Sequence, residues 1–264
     1  LYAFRESLNI ISYNLNGVRS AISKGLATWI HETNYDVYLF QEIKADLLSI
    51  PVEYFDNIGY KHIWFPAQKK GYSGVGVLYK ADLEIENIEY GMGISKYDAE
   101  GRYIQFDIQG ITIINTYFPS GSSGEERQQV KMDFLADYLQ HINTLKNQKQ
   151  KIIIAGDYNI CHTEIDIHDP KGNKNSSGFL PEERQWMTDF FNNGFLDSFR
   201  IINPDVLHQY SWWSFRAGAR SKNKGWRIDY INCTDNLKDA IVDAKILMDV
   251  VHSDHCPVFL KIKI

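Results

Sequence analysis

Five apolar runs in this chain end in residues that can bind a cation or move a proton. Asn14 and Asn16 close the run that begins at Leu8, Glu42 follows Asp36–Phe40, and Asp157 and Asn159 follow Lys151–Ala155. Asp229 sits within Arg227–Cys233, and Asp254 and His255 directly precede Pro257–Ile262. Turns alone account for one polar residue after a strand. Five such ends, all delivered by hydrophobic strands, can converge at one rim. Carboxylates gathered away from water are costly unless a cation sits among them. Oxygen donors of this kind suit Mg²⁺, with Mn²⁺ as a substitute, and the shortage of Cys and His disfavours zinc. A carboxylate that takes a proton from water, beside a histidine that binds a phosphoryl oxygen, points to phosphate ester hydrolysis. Solvated turn carboxylates with a core histidine are the alternative at this level of reading.

A second feature is a local reversal of charge. The chain carries 28 Lys and Arg against 33 Asp and Glu, a net charge of −5. That balance argues against a protein coated in positive charge, yet Val206–Ile228 contains no acidic residue. It holds Arg216, Arg220, Lys222, Lys224 and Arg227, interleaved with Tyr210, Trp212, Trp213, Phe215 and Trp226. Cations bind phosphates, and flat rings stack on bases or fill the space of a missing one. Lys69 and Lys70 before Tyr72, and Arg19 with Lys24, are further candidate phosphate contacts. A solvated loop with a few buried rings is the competing reading.

The elements that must position these residues follow from the pattern of apolar runs. Of 264 residues 44% are hydrophobic and 14% aromatic, which excludes a disordered chain. No run of about 18 apolar residues is present, so no membrane partner is expected. Cys161, Cys233 and Cys256 are too few and too scattered for a disulfide framework, which suits a reducing, cytoplasmic setting. Strands are expected over Leu8–Tyr13, Asp36–Phe40, Val75–Tyr79, Lys151–Ala155, Arg227–Cys233 and Pro257–Ile262, with Ile104–Ile108 and Ile111–Phe118 as a hairpin about Gly110. Helical spacing marks Leu26–Thr33 and about Glu125–Leu145, the latter opened by a capping box of Ser123 and Glu126. A third helix opens at Pro181 and stops near Gly194. The order predicts an α+β fold, sheet packed on sheet with helices outside. Ile10–Asn14 echoes Ile152–Asp157, which suggests two related sheets. No linker or repeat divides the chain, so a short leader over residues 1–7 precedes a single domain over 8–264.

Taken together, the motifs resemble the exonuclease III family of apurinic/apyrimidinic endonucleases. The stretches that carry the likeness are Ile10–Arg19, Leu39–Lys44, Gly71–Val75, Asn115–Pro119, Ala155–Ile160, Ser177–Arg184, Gly225–Tyr230 and Ser253–Pro257. They come in the family's order and span nearly the whole chain. The Trp212–Tyr230 stretch separates the repair branch from sphingomyelinases, inositol phosphatases and pancreatic-type deoxyribonucleases, which share only the strand ends; a phosphatase or phosphodiesterase of the same fold acting on a non-DNA ester is the alternative. The resemblance implies a four-layered α/β sandwich, two packed mixed β-sheets flanked by helices. It implies Mg²⁺-dependent hydrolysis of the phosphodiester 5′ to abasic sites in double-stranded DNA, leaving a 3′-hydroxyl, with further work at 3′ ends, by a monomer. Under it, Glu42 is the principal metal ligand, with Asn16 and Asp254 near the metal. Asp157 positions or deprotonates the attacking water, Asn159 orients it and Asn14 supports the network. Tyr117 meets the phosphate or the leaving oxygen, and His255, held by Asp229, binds a phosphate oxygen. Trp212 and Trp226 wall the pocket for an extruded sugar. Arg19, Lys24 and Tyr72 touch the DNA backbone, and Arg216, Arg220 and Lys222 add basic contacts. Two positions depart from the pattern: Asn16 stands where animal relatives carry Asp, and Ser120 where others carry Asn or Gln.

Overall fold

The computed structural model describes residues 1–264. In chain order the strands are β1 (Ser7–Asn14), β2 (Val37–Gln41), β3 (Tyr60–Phe65), β4 (Val75–Lys80), β5 (Glu86–Tyr90), β6 (Tyr103–Ile108) and β7 (Ile111–Tyr117). They continue as β8 (Ile152–Asp157), β9 (Phe195–Asp197), β10 (Trp212–Trp213), β11 (Gly225–Trp226), β12 (Asp229–Thr234), β13 (Ile241–Ile246) and β14 (Val258–Lys263). One six-stranded sheet has the order β13-β14-β1-β2-β4-β3, the other β5-β6-β7-β8-β12-β9, and β10-β11 form a separate ribbon. Each large sheet is mixed: β1 runs parallel to β2 in the first and β7 parallel to β8 in the second. The two strands whose sequences echo each other, β1 and β8, thus hold equivalent inner positions.

The sheets face each other, and alternation along each strand explains the unbroken apolar runs. In β1 and β2, Leu8, Ile10, Val37 and Leu39 point into the core between sheets, while Ile11, Tyr13, Tyr38 and Phe40 point outward under the Val18–Ser23 and Leu26–Thr33 helices. On the other side, Ile114, Ile152 and Ile154 pack under the Glu125–Lys146 and Pro181–Asn192 helices through Phe134, Tyr138, Trp186 and Phe190. Strands buried on both faces lose the polar half of the period-two pattern. The expected helix–sheet–sheet–helix layering is therefore met. No helix is long and apolar enough to cross a membrane.

Two expectations are corrected. The Ser123 capping box does not form. Gly124, at φ 114, is the N-cap and no side chain caps the helix, whose first turn instead places Glu125 and Glu126 at its positive end. The strand expected from Arg227 begins at Asp229, because the Arg227 N–H is drawn to the Asp166 carbonyl at 2.7 Å. Edge strands β3 and β5 carry no clear alternation; β5 is exposed along its whole length. The first residues are laced to the body: the Arg5 guanidinium reaches Asp36 at 3.2 Å and Asp82 at 2.7 Å.

Two devices bring the strand ends together. Between the sheets, the buried Gln41 amide donates to Asn115 Oδ1 at 2.8 Å, and Asn115 Nδ2 donates to the carbonyls of Phe40 and Gly76. This clasp ties the end of β2, which carries Glu42, to the end of β7, which carries Tyr117. Within the second sheet, Gly156 (φ 150) lets β8 approach β7 so closely that a Cβ there would lie 1.8 Å from the Thr116 carbonyl oxygen. Gly156→Ala must push the backbone beside Asp157 out of line. We expect a cost of about 3 kcal/mol and a fall in Tm of roughly 10 °C, measured by calorimetry.

Candidate active site

The strand ends meet at one rim, around a cleft of about 650 Å³ lined by Glu42, Tyr117, Asp157, Asn159, Asp254 and His255, with Trp212 and Trp226 on its wall. The ladder between β8 and β12 sets Asp157 directly opposite Asp229. Two like charges in register repel. His255 relieves the repulsion: its Nδ1 lies 2.8 Å from Asp229 Oδ2 and its Nε2 3.8 Å from Asp157 Oδ2. Burial pulls the imidazolium down, but Asp229 and Asp157 more than reverse this and push His255 up to about 10. The second Asp229 oxygen is buried without a hydrogen-bond partner, so its charge is left to act on His255. Burial, then the facing Asp229, pushes Asp157 up to about 7, while His255 and bonds from Asn159 and Asn14 pull the other way.

Asp157 is held on both oxygens. Its Oδ1 accepts the Asn159 N–H at 2.9 Å, and its Oδ2 accepts Asn14 Nδ2 at 2.9 Å. The same Asn14 amide donates to Glu42 Oε2 at 3.0 Å, so one residue of β1 spans the carboxylates of both sheets. Asn159 Nδ2 donates to the Phe118 carbonyl at 2.8 Å, which leaves its Oδ1 for the cleft. Asn16, Glu42 and Asn159 all take left-handed backbone, with φ of 45°, 53° and 52°. Such strain at non-glycine residues persists only where surrounding bonds enforce it. The Tyr117 hydroxyl keeps its proton: burial, then Glu42 and Asp157, hold its pKa far above the usual value.

The aromatic-basic segment divides into three fates. Tyr210 and Trp213 enter the core. Trp212 and Trp226 are cross-strand partners in the ribbon, their rings 5.9 Å apart and nearly perpendicular. Trp212 Nε1 also donates to Asp254 Oδ2 at 3.2 Å. Phe215, Arg216, Lys222 and Lys224 are exposed or partly exposed on the loop between the two strands. Arg220 and Arg227 turn inward instead. The Arg220 guanidinium donates to the carbonyls of Ser253, Met248 and Val250 and covers the Trp213 ring. It secures the segment carrying Asp254 and His255, so it is not free for the phosphate contact expected of it. Arg227 is buried against Asp166 and Asp197. Arg19 and Lys24 lie at the surface, as backbone contacts require, while half-buried Tyr72 accepts hydrogen bonds from Arg102 and Arg127 at 3.1 Å each.

Two supporting residues, Arg102 and Lys131, lie outside every motif in the sequence. Arg102 lies under the Tyr117 ring and donates to the Tyr117 carbonyl at 2.9 Å. Lys131, buried and paired with Glu183, donates to the Asn159 carbonyl at 2.7 Å. Glu183 in turn accepts the N–H of Gly178, whose missing side chain makes room for the Trp226 ring. Lys131 precedes Phe134, Leu135 and Tyr138 at helical spacing, a signal that its stem lies on the buried face.

Two sets of side chains could hold a metal. Asp157, Asp229 and His255 present ligand atoms within 4.8 Å of one another. Their imidazole already lies between the two carboxylates and, when protonated, offsets one of the two charges without a metal. Glu42, Asn16 and Asp254 offer oxygens only, the donor set that hard divalent cations take. The site already draws a cation: Lys44 Nζ lies 3.2 Å from Glu42 Oε1 and 2.6 Å from Asn16 Oδ1.

A strand-end cluster of this kind, on two packed sheets, defines a class of phosphate-ester hydrolases. The model of the endonuclease/exonuclease/phosphatase family matches residues 11–255, and the chain belongs to that family. It is 40% identical over 258 residues to an exodeoxyribonuclease of Bacillus subtilis, covering 97% of this chain and 100% of the relative. It is 39% identical to a DNA-(apurinic or apyrimidinic site) endonuclease of Dictyostelium discoideum, covering 96% and 70%. The structure of an AP endonuclease from Archaeoglobus fulgidus superposes with a TM-score of 0.88 at 28% identity, covering 97% of this chain and 100% of that one.

Proposed function

We propose that this chain is a DNA repair nuclease that hydrolyses the phosphodiester 5′ to an abasic site in double-stranded DNA, leaving a 3′-hydroxyl, and that also acts at 3′ ends. One observation carries the reading: the Asp157–His255–Asp229 trio and Tyr117 lie at a cleft whose wall is a pair of perpendicular tryptophans. An extruded sugar without its base fits against such rings, where an intact nucleotide would collide. Arg19, Lys24, Tyr72, Arg216 and Lys222 track the backbone on either side, and residues 8–264 act as one catalytic domain, as a cytoplasmic monomer.

Asp157, held by Asn14 and Asn159, takes the proton from the attacking water, and the free Asn159 Oδ1 orients that water. His255, kept protonated by Asp229, donates from Nε2 to a phosphate oxygen. Tyr117 gives its hydroxyl hydrogen bond to the leaving 3′-oxygen. Glu42, Asp254 and the adjoining Asn16 are the residues that would hold Mg²⁺. A bound divalent cation supplies neutralisation of phosphate charge.

The test is a duplex with one tetrahydrofuran abasic analogue. Incision on its 5′ side with Mg²⁺, abolished by EDTA, is expected; incision that survives EDTA overturns the mechanism. Trp226→Ala should cut incision of this duplex at least about tenfold relative to hydrolysis of bis(p-nitrophenyl) phosphate. An unchanged ratio would favour a non-DNA phosphate ester as substrate.

A further inference from the structure

No backbone N–H reaches the carbonyl of left-handed Asn159. Its one hydrogen bond comes from Lys131 Nζ at 2.7 Å. Lys131 stands on the Glu125–Lys146 helix with its side chain buried, and its ammonium pairs with Glu183, which is buried as well. Glu183 belongs to the Pro181–Asn192 helix. Its Oε2 faces Lys131, while its Oε1 accepts the Gly178 N–H at 2.7 Å and the Leu180 N–H at 3.1 Å. The Cys161 N–H then joins the two ends of this chain of contacts, donating to the Gly178 carbonyl at 2.8 Å.

A buried ion pair is a costly anchor, because both charges must leave water, and apolar residues of similar volume hold two helices together at least as well. The layer around this pair is already apolar: Phe134, Tyr138, Trp186 and Phe190 fix helix on helix and helix on sheet. What an apolar pair cannot supply is a donor for the Asn159 carbonyl and an acceptor for the Gly178 N–H. Both of those residues border the cleft, on either side of the reacting groups. The Gly178 turn lies against the Trp226 ring, so closely that a Cβ there would come within 2.9 Å of Cζ3. From behind the site, the ammonium of Lys131 is also near enough to Asp157 for the two charges to attract.

We propose that Lys131 and Glu183 form a positioning pair behind the cleft: Lys131 fixes the Asn159 peptide, and with it the amide that orients the attacking water, while Glu183 fixes the Gly178 turn against which the Trp226 wall rests. The proposal rests on the roles of Asn159 and Trp226 read above. Neither member of the pair lines the cleft, so each acts through a residue that does. The half of the site that activates water and the half that admits the sugar thus share one support.

The test compares two double variants of the full chain that remove both charges, so that neither leaves a lone ion in the interior. The first, Lys131→Met with Glu183→Gln, removes the donor to Asn159 and keeps an acceptor for Gly178. The second, Lys131→Met with Glu183→Leu, removes both. Glu183→Gln alone keeps the donor and is the reference. Single-turnover incision of the abasic duplex at saturating enzyme reads the rate of chemistry whatever fraction of the chain is folded. The first double variant should run about thirtyfold slower than the reference, with DNA affinity kept within about twofold. Its ratio of abasic incision to bis(p-nitrophenyl) phosphate hydrolysis should match the reference. The second should also lose that ratio, by about fivefold or more. A first variant within about threefold of the reference rate overturns the role of Lys131. The same ratio in both double variants overturns the role of Glu183. Asn159→Ala and Trp226→Ala separate these failures from failure of the reading beneath them. If Asn159→Ala slows incision and the first double variant does not, only Lys131 fails; if Asn159→Ala runs at the unsubstituted rate, the role of Asn159 fails first. If Trp226→Ala lowers the ratio and the second double variant does not, only Glu183 fails; if Trp226→Ala leaves it unchanged, the wall itself is misread.

Discussion

Asp157→Asn should lower the single-turnover rate of abasic-site incision roughly a thousandfold, with DNA affinity little changed. The amide is nearly isosteric, so it can keep the bond from the Asn159 N–H and stay within reach of Asn14. What it loses is the ability to take a proton. Because burial and Asp229 hold Asp157 near 7, the unsubstituted carboxyl is poised between its two forms at neutral pH, which suits a group that accepts and then releases a proton. Fluorescence anisotropy on the abasic duplex separates binding from chemistry. A rate loss under about tenfold would mean that another group is the base.

Asp229→Asn is expected to move both limbs of the pH–rate profile toward acid. The sign follows from the charges. Removing a negative neighbour makes the imidazolium of His255 less favourable, so its pKa drops from about 10 toward the usual histidine range. The same removal makes the Asp157 carboxylate more favourable, so the acid limb near 7 also falls. The unsubstituted enzyme should therefore gain activity as pH rises through about 7 and hold it well into the alkaline range. At pH 8 the variant should retain about one-tenth of the rate or less, because its His255 is by then mostly neutral and cannot donate to the phosphate. Single-turnover rates from pH 5 to 10 with excess Mg²⁺ test this. An alkaline limb that stays in place would show that Asp229 does not control His255.

The polar strand ends are legible because apolar runs and the polar residues that stop them are both written locally. Asn14, Glu42, Asp157, Asp229 and His255 can be gathered from the chain's residue pattern alone, and the comparisons support the family that they suggest. The cations are less legible. Arg216 and Arg220 look alike in sequence, yet one is exposed and the other is consumed by three carbonyls of the segment before His255. What decides between them is the fold of a distant stretch, residues 248–253, which no local pattern encodes. Lys131 gives no local sign of its partner, because lysines on helices usually face water. Its burial depends on Glu183, 52 positions away, arriving with a matching charge. The strand β5 is illegible for the opposite reason: at an exposed edge no core demands alternation, so Glu86–Tyr90 carries none.

The pairing of β8 with β12 also has a meaning for how faulty molecules are removed. Asp229 faces Asp157 in the same ladder that sets Ile231 opposite Ala155, and Ile231 and Ala155 belong to the core between the sheets. A slip of one residue would bring Ile228 or Tyr230 opposite Asp157, and would at the same stroke turn Ile231 and Cys233 out of that core. The error that would misalign the proton-handling groups is thus the error that the hydrophobic interior least tolerates. Folding acts as a proofreading step for the chemistry, because a chain with its carboxylates out of step has no stable sheet on which to carry them.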